Sequence, residues 1–253
     1  MWTSIRRTRA AHATRSRRVG VPVALLACVG LAACTAAEPP SPASTAEADT
    51  IAPFPESGVI DAGTYLVTGY PVPFEITVPA TSPSWYGWET FNGDSLGKND
   101  PDLPDSWNAT LVFYPVTYVP TDACAWRGAL VQVDPTAEAL VEAMTAQAST
   151  VSTPAVEVMV GDYSGSEFDY AVESDVDITD CDGGKICVHS GSAQDCDGRE
   201  YGNVGERETY RVVDLNGERA VIAVGQSHES MDPALTKEAR AIFDSIVFVR
   251  PNK

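Results

Sequence analysis

Apolar and polar residues alternate with period two through much of the chain beyond residue 57. Phe74, Ile76 and Val78 are separated by Glu75 and Thr77, Val156, Val158 and Val160 by Glu157 and Met159, and Phe168, Tyr170 and Val172 by Asp169 and Ala171. Successive side chains of a strand face opposite sides, so this spacing predicts strands with one buried face. Further strands are expected at Thr64–Thr68, Pro73–Val78, Ala109–Val116, Ala129–Val133 and Ser245–Val249. Thr209–Leu215 and Arg219–Val224 flank Asn216-Gly217, the strongest short hairpin signal, because both turn residues need positive φ.

Two segments change to helical spacing. In the first, Asp134 is the expected N-cap and Pro135 the first helical residue. Ala137, Leu140, Val141 and Met144 form its apolar stripe, and Glu138 and Glu142 face outward. The second starts at Asp232-Pro233 by the same chemistry, with a stripe of Leu235, Ala239, Ile242 and Ile246. Two helices covering an otherwise antiparallel sheet give an α+β layout.

The N-terminus follows different rules. Residues 1–33 combine an arginine-rich stretch (Arg6, Arg7, Arg9, Arg15, Arg17, Arg18) with the apolar run Val19–Ala33. That run is about fifteen residues, short of the roughly 20 that span a bilayer, and Pro22 and two glycines interrupt it. It reads as a secretory signal. Ser16-Arg17-Arg18 leaves the twin-arginine export route open beside the general one. The run ends in Leu31-Ala32-Ala33-Cys34, which resembles the bacterial lipobox. The resemblance implies cleavage before Cys34 and a diacylglyceryl group on its thiol, so the lipid bilayer is the first expected partner. A second copy, Leu25-Leu26-Ala27-Cys28, would leave a shorter apolar run, and the polar mature tail favours Cys34. Residues 34–56 are rich in Pro, Ala, Ser and Thr and bury too little apolar surface to offset ordering, so they read as an extended, disordered tether. Residues 57–253 then form a single globular domain.

Charge narrows the partners. The chain carries 17 basic and 35 acidic residues, a net of −18, and loss of the six leader arginines leaves 11 basic residues and a net of −24. Such a surface repels phosphate, so nucleic acid is excluded and anionic headgroups offer no docking site.

The order of elements resembles the MOG1/PsbP-like α/β sandwich. Ile76-Thr77-Val78-Pro79 closes the opening strand pair, Trp85–Trp88 follows as a Trp-containing loop, and a helix runs into Ser245-Ile246-Val247-Phe248. A tighter likeness is to lipoproteins of high-G+C Gram-positive bacteria. It rests on Asp122-Ala123-Cys124-Ala125-Trp126-Arg127-Gly128, Gly161-Asp162-Tyr163-Ser164-Gly165 and Asp180-Cys181-Asp182-Gly183-Gly184. Those proteins usually carry Pro and His at the positions of Ala123 and Ala125. The likeness implies an address and a fold, and no activity.

Four cysteines remain after Cys28 leaves with the leader and Cys34 takes lipid. An even count in an exported domain implies disulfides, of which three pairings are possible. Cys187 and Cys196 bracket a short polar stretch around Gly191 and are expected to pair. That leaves Cys124 for Cys181, and both flank strand ends in the similar lipoproteins. A metal site built from Cys181, Cys187, His189 and Cys196 matches no compact zinc spacing. No metal or other cofactor is expected.

Catalytic signatures are weak. Only His189 and His228 lie beyond the leader. Gly225-Gln226-Ser227-His228-Glu229 lacks the second glycine of a nucleophile elbow, and Ser95-Leu96-Gly97-Lys98 lacks the helix that its catalytic use requires. The acidic runs Asp94, Asp100, Asp102, Asp105 and Asp175, Asp177, Asp180, Asp182 do not have EF-hand spacing and read as solvated loops. Trp85, Tyr86, Trp88, Trp107 and Trp126 are the candidate ligand-binding residues, since exposed rings stack on sugars or clamp a partner. The reading is a non-catalytic binding or accessory module of the cell envelope, with an unidentified envelope protein or small ligand as partner. The alternative is an envelope hydrolase that cleaves glycans with paired carboxylates.

Overall fold

The alternating runs pair into one large sheet with a central strand, Arg219–Gln226, that is apolar at five successive positions, Ala220–Val224. The computed structural model describes residues 51–81, 84–90, 93–98, 109–226 and 232–249, all within the second of two units, Glu47–Lys253. In chain order the strands are β1 (Ala52–Pro53), β2 (Ser57–Ile60), β3 (Gly63–Val67), β4 (Phe74–Val78), β5 (Trp85–Thr90), β6 (Gly93–Lys98), β7 (Ala109–Tyr114), β8 (Tyr118–Pro120) and β9 (Leu130–Gln132). Helix α1 (Ala137–Thr145) follows, then β10 (Thr150–Ser152), β11 (Val156–Val160) and β12 (Tyr163–Val172). After two 3₁₀ turns come β13 (Ile186–His189), β14 (Arg199–Tyr201), β15 (Arg207–Asp214), β16 (Arg219–Gln226), α2 (Pro233–Asp244) and β17 (Val247–Phe248).

Nine strands form the main sheet in the order β10-β12-β15-β16-β7-β6-β5-β2, with β11 also paired to β12. A four-stranded sheet runs β1-β3-β4-β17, and β8-β9 and β13-β14 are two-stranded ribbons. The class is α+β, but the expected MOG1/PsbP-like sandwich needs correction. The strands fall into four sheets, and the two helices pack on opposite faces of the largest. The cause lies in β16. Ala220, Ile222 and Val224 belong to one core, and Val221 and Ala223 to another on the opposite face. A strand that is apolar on both sides needs cover on both. Helix α2 and the four-stranded sheet cover one face, and α1 with the disulfide-linked loops covers the other. At the centre of the first core Phe74 meets Phe113, Phe248 and Tyr70 with ring centroids 4.7 to 5.4 Å away. Each such buried ring contributes about 2 kcal/mol through loss of water contact.

Local signals were followed closely in places. Asn216 and Gly217 have φ of 65° and 101° and turn β15 into β16. Asp232 caps α2 by accepting the Ala234 N–H at 2.8 Å, and Pro233 opens the helix. Ile246 lies just beyond that helix but is buried, as its place in the stripe implied. For α1 the cap is Thr136, which accepts the Ala139 N–H at 3.2 Å, rather than Asp134. Arg219 explains the shift: its guanidinium donates to the carbonyls of Asp134 and Thr136 and holds residues 134–136 outside the helix.

Two expected loops are strands. Trp85–Trp88 lies in β5, and Ser95–Lys98 in β6. Gly87 lies opposite Gly58 in the antiparallel β2–β5 pair, and a Cβ there would come within 2.8 Å of the tip of the Ile60 side chain. Ser95 and Lys98, three apart on a strand, point to opposite faces, and Lys98 is bound to Thr81 at 3.0 Å and Glu238 at 2.5 Å. Folding also begins before residue 57. Phe54 donates its N–H to the Leu66 carbonyl and stacks edge-on against Tyr65, so the last residues assigned to the tether lie against β3. No helix among the described residues is long and apolar enough to cross a membrane.

Candidate binding groove

Helix α2 packs over β16 and β7 and leaves the β10–β12 end of the same face uncovered. The gap is a groove of about 540 Å³. Its floor comes from β12, β15 and β16, where residues of one parity face α2: Asp169 and Ala171, Arg207 and Thr209, Val224 and Gln226. One wall is Thr236, Ala239 and Arg240 of α2; the other is Val151, Ser152 and Thr153 at the sheet edge. The groove thus has an aliphatic strip (Val151, Ala171, Val224, Ala239) bordered by hydroxyls, two arginines and one amide.

Hydrogen bonds fix most of these groups. Asp169 accepts the Thr209 hydroxyl at 2.7 Å and donates its N–H to the Thr153 hydroxyl at 2.9 Å. The Thr236 hydroxyl lies 3.3 Å from the Gln226 side-chain oxygen. Arg240 pairs with Glu167 at 2.7 Å and Asp244 at 3.0 Å. Arg211, on β15 and more buried, reaches the same two carboxylates at 2.6 and 2.5 Å. Both guanidinium groups lie over the Phe243 ring. This closed square of two cations and two anions holds α2 against the sheet and raises the Arg240 pKa, through its bonds to Glu167 and Asp244, against the effect of burial. Arg207 stands exposed at the mouth, level with Ala171 and Gln226.

Asp169 and Glu208 both border the groove, but they sit on opposite faces of neighbouring strands. The Glu208 carboxylate points beneath the sheet, where it accepts from Arg199 at 2.7 Å, from the Tyr201 hydroxyl at 2.9 Å and from the Tyr210 hydroxyl. His189 is buried in the same cluster, its ring edge-on to Tyr210. Burial, assisted by the charge of Arg199, lowers its pKa to about 3, so the imidazole is neutral. Gly198 makes room for it: a Cβ would lie 2.5 Å from the His189 carbonyl. Nearby, burial raises the Glu206 pKa.

The residues singled out from sequence are dispersed. Cys124 pairs with Cys181 and Cys187 with Cys196, the expected connectivity, so these sulfurs are not available to a metal as thiolates. Among the described residues no group of three His, Cys, Asp or Glu is placed to hold an ion. Trp85 is fully buried in the first core, while Tyr86, its neighbour on β5, is 43% exposed on the other face. Trp126 is buried beside the Cys187–Cys196 bridge, donates to the Asp182 carbonyl at 2.7 Å, and lies between Arg127 and Lys185. Cys34, Trp107, the Trp88 side chain, and Ser227 to Glu229 lie outside the described residues. Of the second acidic run, Asp177 caps a 3₁₀ turn through Thr179, and Asp182 accepts the Arg127 N–H. Gln226 and Ala239 enter the sequence reading only in other roles, and the remaining groove residues carry little signal. Their one signal is the sequence Arg207, Thr209, Arg211, three polar residues at every second position of a strand that also carries Tyr210, Val212 and Val213.

No family model matches the chain, and no curated protein matches it.

Proposed function

We propose that the protein is a non-catalytic binding module held at the outer face of the cell membrane by a diacylglyceryl group on Cys34, and that its ligand sits in the groove between α2 and β10. The observation that carries the reading is the composition of the groove: an aliphatic strip for the apolar side of a compact ligand, with the hydroxyls of Thr209 and Thr236 and the Arg207 guanidinium at the mouth for a polar end. In this groove Asp169 and Glu208 point to opposite faces of the sheet, so it lacks the two carboxyl groups about 5 to 9.5 Å apart in one cleft that the glycan-hydrolase alternative needs. The two disulfides are compatible with an exported protein.

One measurement tests both parts. The full-length protein is extracted from membranes in mild detergent and weighed by native mass spectrometry, then digested. The N-terminal peptide is expected to begin at a diacylglyceryl-modified Cys34, and the intact protein to retain a small molecule. Thr236→Trp, at an exposed helix position, fills the groove without disturbing the core and is expected to remove that molecule. An unmodified Cys34 would overturn the anchor, and equal retention by Thr236→Trp would overturn the groove.

A further inference from the structure

The main sheet ends on β10 and β11, and among the described residues β11 pairs on one side only, with β12. An unpaired strand edge presents a row of backbone N–H and C=O groups to any extended chain. Proteins usually guard such an edge with lysine, a bulge or an inward charge. Here Val156–Val160 carries one charged residue, Glu157, and it leaves Val156 and Met159 57% and 65% exposed.

Beside this edge, on the α1 face and so away from the groove, lies a second depression of about 1080 Å³. Its floor is Ser164, Gly165 and Ser166 of β12, the strand on the paired side of β11, so the depression opens over the sheet face between β11 and α1. Val141 and Met159 supply its apolar sides, and Glu138, Glu142, Glu157 and Asp214 its charge. No lysine or arginine lines it. A second copy of this acidic chain, or an anionic membrane, is repelled by that rim.

We propose that β11 and this depression bind an extended, lysine- or arginine-rich segment of a partner protein. The segment adds as a strand to the free edge of β11, sets its apolar side chains against Met159, and extends its long cationic side chains over β11 to Glu157 and into the depression toward Glu138 and Glu142. Backbone pairing supplies affinity, and the rim selects charge.

The test uses the full-length protein in detergent and a fluorescent probe, the heptapeptide Lys-Val-Lys-Val-Lys-Val-Lys. Anisotropy is expected to give saturable binding that weakens with salt. Hydrogen exchange is expected to slow at the β11 amides not already bonded to β12. The double variant Glu138→Gln/Glu157→Gln changes two exposed side chains and keeps the fold, which its thermal midpoint verifies; it is expected to bind about tenfold more weakly. A probe with two consecutive prolines at its centre places one of them where an N–H must face β11, whichever the register, and this proline probe is expected not to bind. Equal binding by the double variant or by the proline probe would reduce the effect to general charge attraction and overturn the proposal, as would protection that falls outside β11. Retention of a small molecule in the groove is unaffected by any of these outcomes.

Discussion

Replacing Cys124 and Cys181 together by alanine is expected to lower the unfolding free energy by about 4 kcal/mol, against about 2.7 kcal/mol for the Cys187/Cys196 pair. The difference comes from the unfolded chain. The first bridge joins residues 57 apart and the second residues 9 apart, so the first removes more conformational freedom from the unfolded ensemble. The folded geometry survives either loss, because other bonds hold the same segments. Asp122 accepts the N–H groups of Cys124 and Ala125 and the hydroxyl of Ser149 at 2.7 Å. These bonds outweigh the effect of its burial and lower its pKa. The Cys124 carbonyl accepts the Asp182 N–H at 2.9 Å, and the Ala123 carbonyl the Cys187 N–H at 2.8 Å. Denaturant titration without reductant checks the ranking. A larger loss for the shorter loop would show that local strain or packing, rather than chain entropy, dominates.

Glu208→Ala is expected to cost about 3 kcal/mol, the lower end of the range for an uncompensated buried charge. The carboxylate is almost fully buried and meets Arg199, Tyr201 and Tyr210; truncation leaves two buried hydroxyls and a guanidinium facing a void. Arg199 is one quarter exposed and keeps Glu206 at 3.0 Å, which limits the loss. Glu208→Gln keeps an acceptor for the hydroxyls and is expected to cost less. The same cluster has a pH signature. The His189 pKa is depressed from 6.5 to about 3 in the folded state, so between those values the unfolded chain binds a proton that the folded chain does not. Its contribution is therefore complete above pH 6.5 and is lost as the pH falls toward 3. Glu206, with a raised pKa, works in the opposite direction and favours the folded state on acidification. Thermal midpoints at pH 7 and pH 4 for wild type and His189→Gln separate the two: the variant is expected to lose less on acidification. Equal losses would show that His189 is not held neutral.

Local chemistry was legible wherever one rule governed it. The Asn216-Gly217 turn, the Asp232-Pro233 helix start and the pairing of cysteines nine residues apart each depend on a few neighbouring residues. The cap of α1 was misplaced because Arg219, more than eighty residues away, holds the Asp134 carbonyl, and nothing local announces that. Trp85–Trp88 reads as a loop by its glycine and crowded rings, yet Gly87 sits opposite Gly58 within the antiparallel β2–β5 pair. The layer arrangement follows from β16 being apolar on both faces, a feature present in the sequence at Ala220–Val224. The groove was less visible, since it exists only because α2 stops short of β12, and a helix's lateral position on a sheet leaves no local trace. The conspicuous tryptophans pointed elsewhere: Trp85 and Trp126 fill cores.

Photo-crosslinking in intact cells addresses the groove most directly. A benzophenone side chain is placed at position 236, on the groove wall, or at position 218, in the exposed turn after β15. The account predicts a discrete adduct mass from position 236 that is absent from position 218. Identical adducts from both positions, or none from position 236, would contradict it.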